Sequence, residues 1–192
     1  MKNHHIIYAI FFISIILSAN QQTATAQEKY VSKNGHIWFY SQTPLETIEA
    51  HNNQVATIIN IKTGAIAFDL LMKSFKFKKA LMEEHFNENY VHSETYPKCT
   101  FSGKIVDINN FNLTKNGKYK VEVEGDLTMH GVTKKIKQTG TLEVKDDKIY
   151  ATSKFDVKPE DYNIEIPKLV RDKIASTIEV NVDIVYQLFE KR

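Results

Sequence analysis

Cysteine, proline and glycine are scarce in this 192-residue chain, which has one cysteine, four prolines and seven glycines. Because the single cysteine, Cys99, has no partner within the chain, a framework of intramolecular disulfides is excluded. An excess of one charge sign is also missing, since 25 lysines and arginines are balanced by 23 aspartates and glutamates. This balance argues against a polybasic nucleic-acid-binding protein and against an acidic disordered tail. We therefore expect no nucleic-acid partner.

A hydrophobic run long enough to cross a membrane is absent as well. The apolar run 6–17 is shorter than the roughly 20 residues that a helix needs to span a bilayer core of about 30 Å. Lys2 precedes this run and Ala24-Thr25-Ala26 follows it, which is typical of a cleavable secretory signal. A retained membrane anchor and a buried helix are the alternatives. We predict a signal peptide over 1–26 cleaved after Ala26, a periplasmic or secreted location, and one mature domain over 27–192 without a stable membrane span.

Alternation of apolar and polar residues with a period of two dominates the mature chain and indicates strands with one buried face. The pattern is most regular over 119–129, 136–144, 149–157 and 178–188, and it is weaker over 31–40, 54–61, 65–72 and 99–108. The expected turns between strands are Lys62-Thr63-Gly64, Asn116-Gly117, His130-Gly131 and Asp146-Asp147. One-sided burial and short turns predict an antiparallel sheet of about eight strands.

The period of the pattern changes in two places. From Phe75 to Asn87, apolar residues recur at spacings of three and four, which predicts an amphipathic helix at about 75–87 that packs on the sheet or caps it. A second, short helix is expected at about 167–175, where Pro167 stands at a first-turn position.

Eight antiparallel strands joined by hairpins form either a sandwich or an up-and-down barrel. Closure into a barrel removes the edges that such long strands would otherwise expose. We therefore predict an all-β fold with minor helices, built as an eight-stranded antiparallel barrel whose interior is filled by side chains or holds one small ligand. Small residues that fall on the inward faces either leave space in the lumen or mark bends in the sheet; they are Gly103, Gly125, Gly140, Ala151 and Ser153.

Motifs of enzymatic chemistry are missing from the sequence. It has no Gly-x-Ser-x-Gly elbow, no phosphate-binding glycine loop and no His-Glu-x-x-His zinc helix. The five histidines of the mature chain show no spacing that is usual for metal ligands; they are His36, His51, His85, His92 and His130. Cys99 stands on a predicted inward face and is expected to be a small buried hydrophobic residue rather than a nucleophile. We expect no catalytic residue, no metal and no cofactor.

The stretch Leu127-Thr128-Met129-His130-Gly131-Val132-Thr133-Lys134 resembles the signature of the YceI-like family of periplasmic lipid-binding proteins. Tyr96-Pro97, Thr100-Phe101 and Asp161-Tyr162-Asn163-Ile164 match further family positions in the same order. In the last of these, Asn163 replaces the usual glycine, and asparagine tolerates a left-handed backbone best among the other residues. The segment 33–39 also departs from the family pattern.

The resemblance implies a lipocalin-like barrel whose central pore holds an amphiphilic lipid, such as a polyisoprenoid, an isoprenoid quinone or a fatty acid amide. It implies binding, transport or sequestration of that lipid, without catalysis. The residues that we expect to line the pore are Phe68, Leu70, Phe101, Val123, Leu127, Met129, Phe155, Tyr162 and Tyr186. His130 either lies at the pore mouth and contacts the lipid head group, or it belongs to a turn and satisfies nearby backbone.

Two other functions remain open from the sequence. One is a hydrolase or isomerase that acts on a small apolar substrate with His130 or His85 as the base. The other is a ligand-free interaction protein built as a sandwich with a filled core and an exposed apolar patch. The oligomeric state is open too, with a homodimer as one option.

Overall fold

The computed structural model describes residues 29–108, 111–112 and 115–189. The predicted signal segment and its cleavage site lie outside these residues. Strands make up most of the described chain: β1 Lys29–Gln42, β2 Thr47–Asn60, β3 Ala65–Leu71, β4 Lys76–Phe77, β5 Lys98–Val106, β6 Gly117–Met129, β7 Val132–Lys145, β8 Lys148–Val157 and β9 Ile178–Leu188. No helix within the described ranges is long and apolar enough to cross a membrane.

Eight of the strands form a closed antiparallel barrel, which confirms the predicted fold class. The order around the barrel is β1, β9, β8, β7, β6, β5, β3 and β2, and β2 pairs with β1 to close it. The short strand β4 pairs only with Ala50 and His51 of β2, beyond the stretch 56–59 where β2 pairs with β3. Closure provides a hydrogen-bonded neighbour on both sides of each of the eight strands.

Two of the predicted turns are tight hairpins of two residues. His130 and Gly131 join β6 to β7 with φ of 51° and 75°, and Asp146 and Asp147 join β7 to β8 with φ of 52° and 59°. Two consecutive residues with positive φ give the turn whose twist matches that of antiparallel strands. Asn116-Gly117, in contrast, ends a longer connection that begins after Val106, and so it is not a two-residue turn.

The inward face of β1 could not be chosen from the sequence, because both alternating sets are apolar. The structure places Ile37 in the buried core and Trp38 on the outer surface. The pairing of β1 with β2 shifts register on both sides of Gly35, which is the signature of a β-bulge. A Cβ at Gly35 would lie 3.1 to 3.2 Å from side-chain atoms of Ile184 and Val55, so a side chain at this position would have to push its neighbours slightly apart.

Glycines on the inward faces allow close contact between strands rather than open space in the lumen. Gly103 of β5 lies directly opposite Gly125 of β6. A Cβ on either glycine would lie 2.3 to 2.4 Å from a carbonyl oxygen of the neighbouring strand and 2.6 to 2.8 Å from the ring of Phe101. The phenyl ring of Phe101 therefore covers both glycines, as aromatic side chains do for strand glycines elsewhere.

Two helical predictions need correction. The segment predicted as a helix at about 75–87 contains a shorter α-helix, α1 Ala80–His85, followed by one wide helical turn over Phe86–Tyr90. The segment predicted as a helix at about 167–175 contains only a 3-10 turn, Lys168–Val170. Leu169 is 89% exposed, so the segment buries only part of the apolar set that would stabilise a longer helix in a protein.

Buried side chains form two clusters inside the barrel. One half of the interior is filled by Ile59, Ile105, Leu142, Ile149, Ile184 and Tyr186. The other half is lined by a larger cluster that includes Ile37, Leu70, Cys99, Phe101, Leu127 and Tyr162. The larger cluster extends under α1 and under the connection between β8 and β9, and it contains the cavity described next.

Candidate functional site

An apolar cavity of about 300 Å³ occupies one half of the barrel interior. Inward-facing residues of β1, β3, β5, β6, β8 and β9 form its wall: Ile37, Phe39, Phe68, Leu70, Cys99, Leu127, Met129, Phe155, Val157, Ile178, Val180 and Val182. This wall follows from the period of two, because every second side chain of each strand points to the barrel axis. The cavity therefore suits a bound group that is apolar and makes no hydrogen bonds.

The filled half of the barrel closes one end of this cavity. Tyr186 is fully buried there, and its hydroxyl lies 2.8 Å from the hydroxyl of Thr57. The Thr57 hydroxyl in turn donates to the carbonyl oxygen of Ala67 at 2.8 Å. Burial raises the pKa of Tyr186 to about 12, so its phenol is neutral at physiological pH and can keep this hydrogen bond. The lumen is thus a blind pocket and not a pore through the whole barrel.

Four phenylalanines cluster near the other end of the cavity. Phe39 of β1, Phe75, Phe77 of β4 and Phe86 beyond α1 all line it, with ring centroids 5.1 to 5.9 Å apart. Their tilted and edge-to-face arrangements are those that aromatic quadrupoles favour. The cluster fixes the segment 75–86 over the wall, and Met82 of α1 completes this side of the cavity.

The connection between β8 and β9 covers the opposite side of the opening. Ile164, Ile166, Val170 and Ile174 of this connection line the cavity. The backbone N–H of Ala175 donates to the hydroxyl of Ser41 at 2.9 Å, which anchors the end of the connection to β1.

Among the described residues that line the cavity, the carboxylate, imidazole and ammonium groups lie at the opening. Glu46 lies in the turn between β1 and β2, His85 ends α1 and Lys173 belongs to the β8–β9 connection; all three line the cavity and remain accessible to solvent. A carboxylate oxygen of Glu46 lies 3.5 Å from the ammonium nitrogen of Lys79. A bound molecule would therefore meet polar groups only where it leaves the cavity, so an amphiphile with its polar end outward matches this arrangement.

Among the described residues, Cys99 is the ionisable group deep in the wall that could act as a nucleophile. Its side chain is buried, and desolvation raises the pKa of the thiol to about 12. Because the thiolate is the reactive form, a thiol with this pKa is inert at neutral pH. This agrees with the expectation of a small buried hydrophobic residue.

His130 lies outside the cavity wall and connects three segments. One ring nitrogen, Nδ1, lies 3.0 Å from the carbonyl oxygen of Tyr162, which can only accept, so this nitrogen carries the proton. The other, Nε2, lies 2.8 Å from Nδ1 of His92. The ring also contacts Tyr96 edge-on, with centroids 4.5 Å apart. Both ring nitrogens thus have partners within the protein, which matches the structural interpretation of His130 rather than head-group contact.

Five of the nine residues that we expected to line the pore do line the cavity: Phe68, Leu70, Leu127, Met129 and Phe155. Phe101 instead stacks on Phe68, with centroids 5.3 Å apart. Val123 packs between the two buried clusters, and Tyr162 is buried in the larger one. Tyr186 lies in the filled half. These four support the cavity without lining it.

The sequence predicted that the segment 75–87 packs on the sheet or caps it, but the individual residues that cover the opening were not among the residues expected to line the pore. Phe39 belongs to the strand whose inward face could not be chosen from the sequence. Three further residues belong to the segment predicted as a helix: Phe75, Phe77 and Phe86. Ile166, Val170 and Ile174 recur every four residues, and with Ile164 they give four β-branched residues in eleven positions, which is a signal of burial. Within the described residues, no group of three metal-ligating side chains is close enough to hold a metal ion.

The family model of the YceI-like domain matches residues 25–186 of the chain. The chain belongs to the YceI-like family. No curated protein matches the chain significantly. The signature around His130 therefore identified the family correctly, and the barrel described above is the YceI-like fold.

Several solved structures share this fold at low sequence identity. A polyisoprenoid-binding domain from Saccharophagus degradans is 16% identical with a TM-score of 0.74, covering 85% of this chain and 99% of that domain. BcnA of Burkholderia cenocepacia is 14% identical with a TM-score of 0.66, covering 79% and 95%. The YceI protein of Campylobacter jejuni is 15% identical with a TM-score of 0.56, covering 100% of both chains.

Proposed function

We propose that this YceI-like domain binds one amphiphilic, isoprenoid-like lipid in its blind cavity, outside the cytoplasm, and carries or sequesters that lipid without transforming it. A polyisoprenoid, an isoprenoid quinone and a fatty acid amide all have the required apolar chain. The observation that carries the proposal is the cavity itself, with apolar walls, a closed inner end and charged groups only at the opening. The polyisoprenoid binding of the Saccharophagus degradans domain supports this ligand class.

The volume of the cavity limits how much of the lipid it holds. At about 30 Å³ for each water-sized group, a cavity of about 300 Å³ takes on the order of ten carbon atoms, or about two isoprene units. Each buried methylene contributes about 0.8 kcal/mol, so ten contribute roughly 8 kcal/mol. Association costs roughly 4 to 15 kcal/mol, so tight binding needs further contacts at the opening or a wider cavity.

Two segments are placed to provide those contacts. A longer chain would leave the cavity between α1 and the β8–β9 connection, where Met82, Phe86, Ile166 and Val170 offer apolar surface. A polar head group would then lie near Glu46, His85 and Lys173.

Binding is favoured over catalysis by the state of the candidate groups. The raised pKa of Cys99 keeps its thiol neutral, and both ring nitrogens of His130 have partners in the protein. His85 is the one candidate base of the sequence that reaches the cavity, and it does so at the solvent-exposed rim.

Mass spectrometry of organic extracts from the purified protein tests the proposal. We expect a lipid with an apolar chain, in a molar ratio near one to the protein. The cavity variant is Val182→Trp, which places a large ring in the cavity wall and should reduce the extracted lipid. Its matched control is Val185→Trp, on the outside of β9, which should leave the extracted lipid unchanged. Absence of any stoichiometric lipid from the wild type, together with failure to bind an added isoprenoid, would refute the proposal.

A further inference from the structure

Three of the most exposed large apolar residues of the described chain surround the opening of the cavity. Leu45 is 66% exposed in the turn between β1 and β2, Leu81 is 61% exposed on α1, and Leu169 is 89% exposed in the β8–β9 connection. Single exposed leucines are ordinary, but several apolar side chains at one rim mark an interaction surface.

Contacts between the three segments show that these leucines belong to one end of the barrel. The ammonium of Lys79, two residues before Leu81, lies 3.5 Å from Glu46, the neighbour of Leu45. The β8–β9 connection is joined to the end of β1 by the Ala175–Ser41 hydrogen bond. The sequence neighbours Glu46, Met82 and Val170 all line the same cavity. We name Leu45, Leu81 and Leu169 the rim leucines.

Positive charge accompanies the most exposed rim leucine. Lys168, Arg171 and Lys173 flank Leu169, while Asp172 is the one carboxylate in the stretch 167–175. Within the described residues, none of these three cations forms an ion pair with a carboxylate. On the other side of the opening, two lysines already have carboxylate partners. The ammonium of Lys78 lies 3.5 Å from an oxygen of Glu49, and the ammonium of Lys79 lies 3.5 Å from an oxygen of Glu46. The cations that are available to a partner thus lie beside Leu169.

We propose that the open end of the barrel docks on the surface of an anionic lipid bilayer. The rim leucines insert among the head groups, and Lys168, Arg171 and Lys173 contact anionic phosphates. Docking in this orientation holds the opening against the membrane, so an apolar chain passes between bilayer and cavity with little exposure to water. The inference rests on the proposed function, because the membrane contact of the rim leucines serves the passage of the same lipid between bilayer and cavity.

Sedimentation with lipid vesicles tests the docking surface. The probes are vesicles of phosphatidylcholine alone and vesicles of phosphatidylcholine mixed with phosphatidylglycerol. The variants are the triple change Leu45→Asp, Leu81→Asp and Leu169→Asp, and the charge change Lys168→Gln with Arg171→Gln. Val185→Asp is the matched control, since Val185 is exposed on the outside of β9 beside the filled half of the barrel.

We expect the wild type and Val185→Asp to bind the anionic vesicles equally. The triple variant should bind at least about tenfold more weakly, because three apolar side chains no longer enter the interface. The charge variant should lose its preference for phosphatidylglycerol. Thermal unfolding checks that each variant folds.

Several results would overturn the docking surface. They are a wild type that stays in solution with anionic vesicles, a triple variant that binds as the wild type does, and a control that loses binding equally. A wild-type dimer that the triple variant dissociates would assign the rim to a contact between two copies of the chain.

Binding of a hydrophobic fluorescent probe, measured without vesicles, separates this inference from the proposed function. The triple variant should still take up the probe, because its cavity wall is unchanged. Vesicle binding without any probe uptake by the wild type would support docking and refute the lipid cavity. Probe uptake without vesicle binding would refute docking alone.

Discussion

The hydroxyls of Tyr186 and Thr57 lie 2.8 Å apart inside the barrel, although 129 residues separate them in the sequence. Their hydrogen bond crosses from β9 to β2 and belongs to the half of the interior that side chains fill. Thr57 also donates to Ala67 on β3. The pair thus links three strands and closes the inner end of the cavity.

This pair predicts a graded loss of stability. Tyr186→Phe removes one buried hydrogen bond, and the Thr57 hydroxyl keeps its bond to Ala67, so we expect a loss of about 1 kcal/mol. Thr57→Val leaves both the Tyr186 hydroxyl and the Ala67 carbonyl without this partner and should cost roughly 1 to 3 kcal/mol. Urea unfolding measures both values. A Thr57→Val variant no less stable than Tyr186→Phe would contradict the described network.

The close pair of glycines predicts a large effect of a single methyl group. Gly125→Ala would place a Cβ 2.4 Å from the carbonyl oxygen of Ser102 and 2.8 Å from the ring of Phe101. We expect a loss of about 1 to 3 kcal/mol or more, because the core has no room for the methyl group. Gly117→Ala is the control, since its Cβ would meet only Tyr119 at 3.5 Å or more. Equal stability of the two variants in urea unfolding would show that the strands have room to separate.

Alkaline pH should destabilise the barrel through its buried acids. Burial raises the pKa of Cys99 from 9.0 to about 12, and the pKa values of Tyr162 and Tyr186 from 10.0 to about 12. At a pH between the ordinary and the raised pKa values, these groups have released their protons in the unfolded chain and retain them in the folded chain. The free energy of unfolding therefore falls as pH rises from about 9 to about 12, and these groups contribute no slope below that range.

Unfolding in urea at a series of pH values measures this slope. Cys99→Ala should flatten the curve first near pH 9, and Tyr186→Phe should flatten it above pH 10. A wild-type stability that stays constant up to pH 12 would mean that water reaches these groups. Reaction of the native Cys99 thiol with a disulfide reagent at neutral pH should accordingly be slow until the chain unfolds.

The strand pattern made most of the barrel predictable. Regular alternation over 119–129 and 178–188 placed Leu127, Met129 and Tyr186 on inward faces, because side chains of a regular strand alternate between its two sides. The same rule failed to choose a face for β1, where Ile37 and Trp38 are both apolar. That choice depends on the bulge at Gly35, which only the pairing with β2 reveals.

The extent of the cavity was less predictable, because it depends on contacts across strands. Phe101 is on an inward face, as expected, but its ring covers Gly103 and Gly125 instead of facing the open lumen. Tyr186 fills the inner end rather than lining the cavity. Ile166, Val170 and Ile174 recur every four residues, but this spacing does not show where the face they form packs. Its position over the opening follows from the path of the whole β8–β9 connection.

The central claim is that the barrel binds a lipid in its interior. Titration with a hydrophobic fluorescent probe tests it most directly when two valines on opposite faces of β9 are compared. Val182 lines the cavity and Val185 lies outside the barrel. We predict that the wild type and Val185→Trp bind one probe with similar affinity, and that Val182→Trp binds it at least about tenfold more weakly, since an indole fills much of the cavity. Equal binding by Val182→Trp and the wild type, in variants of equal stability, would contradict a lipid site inside the barrel.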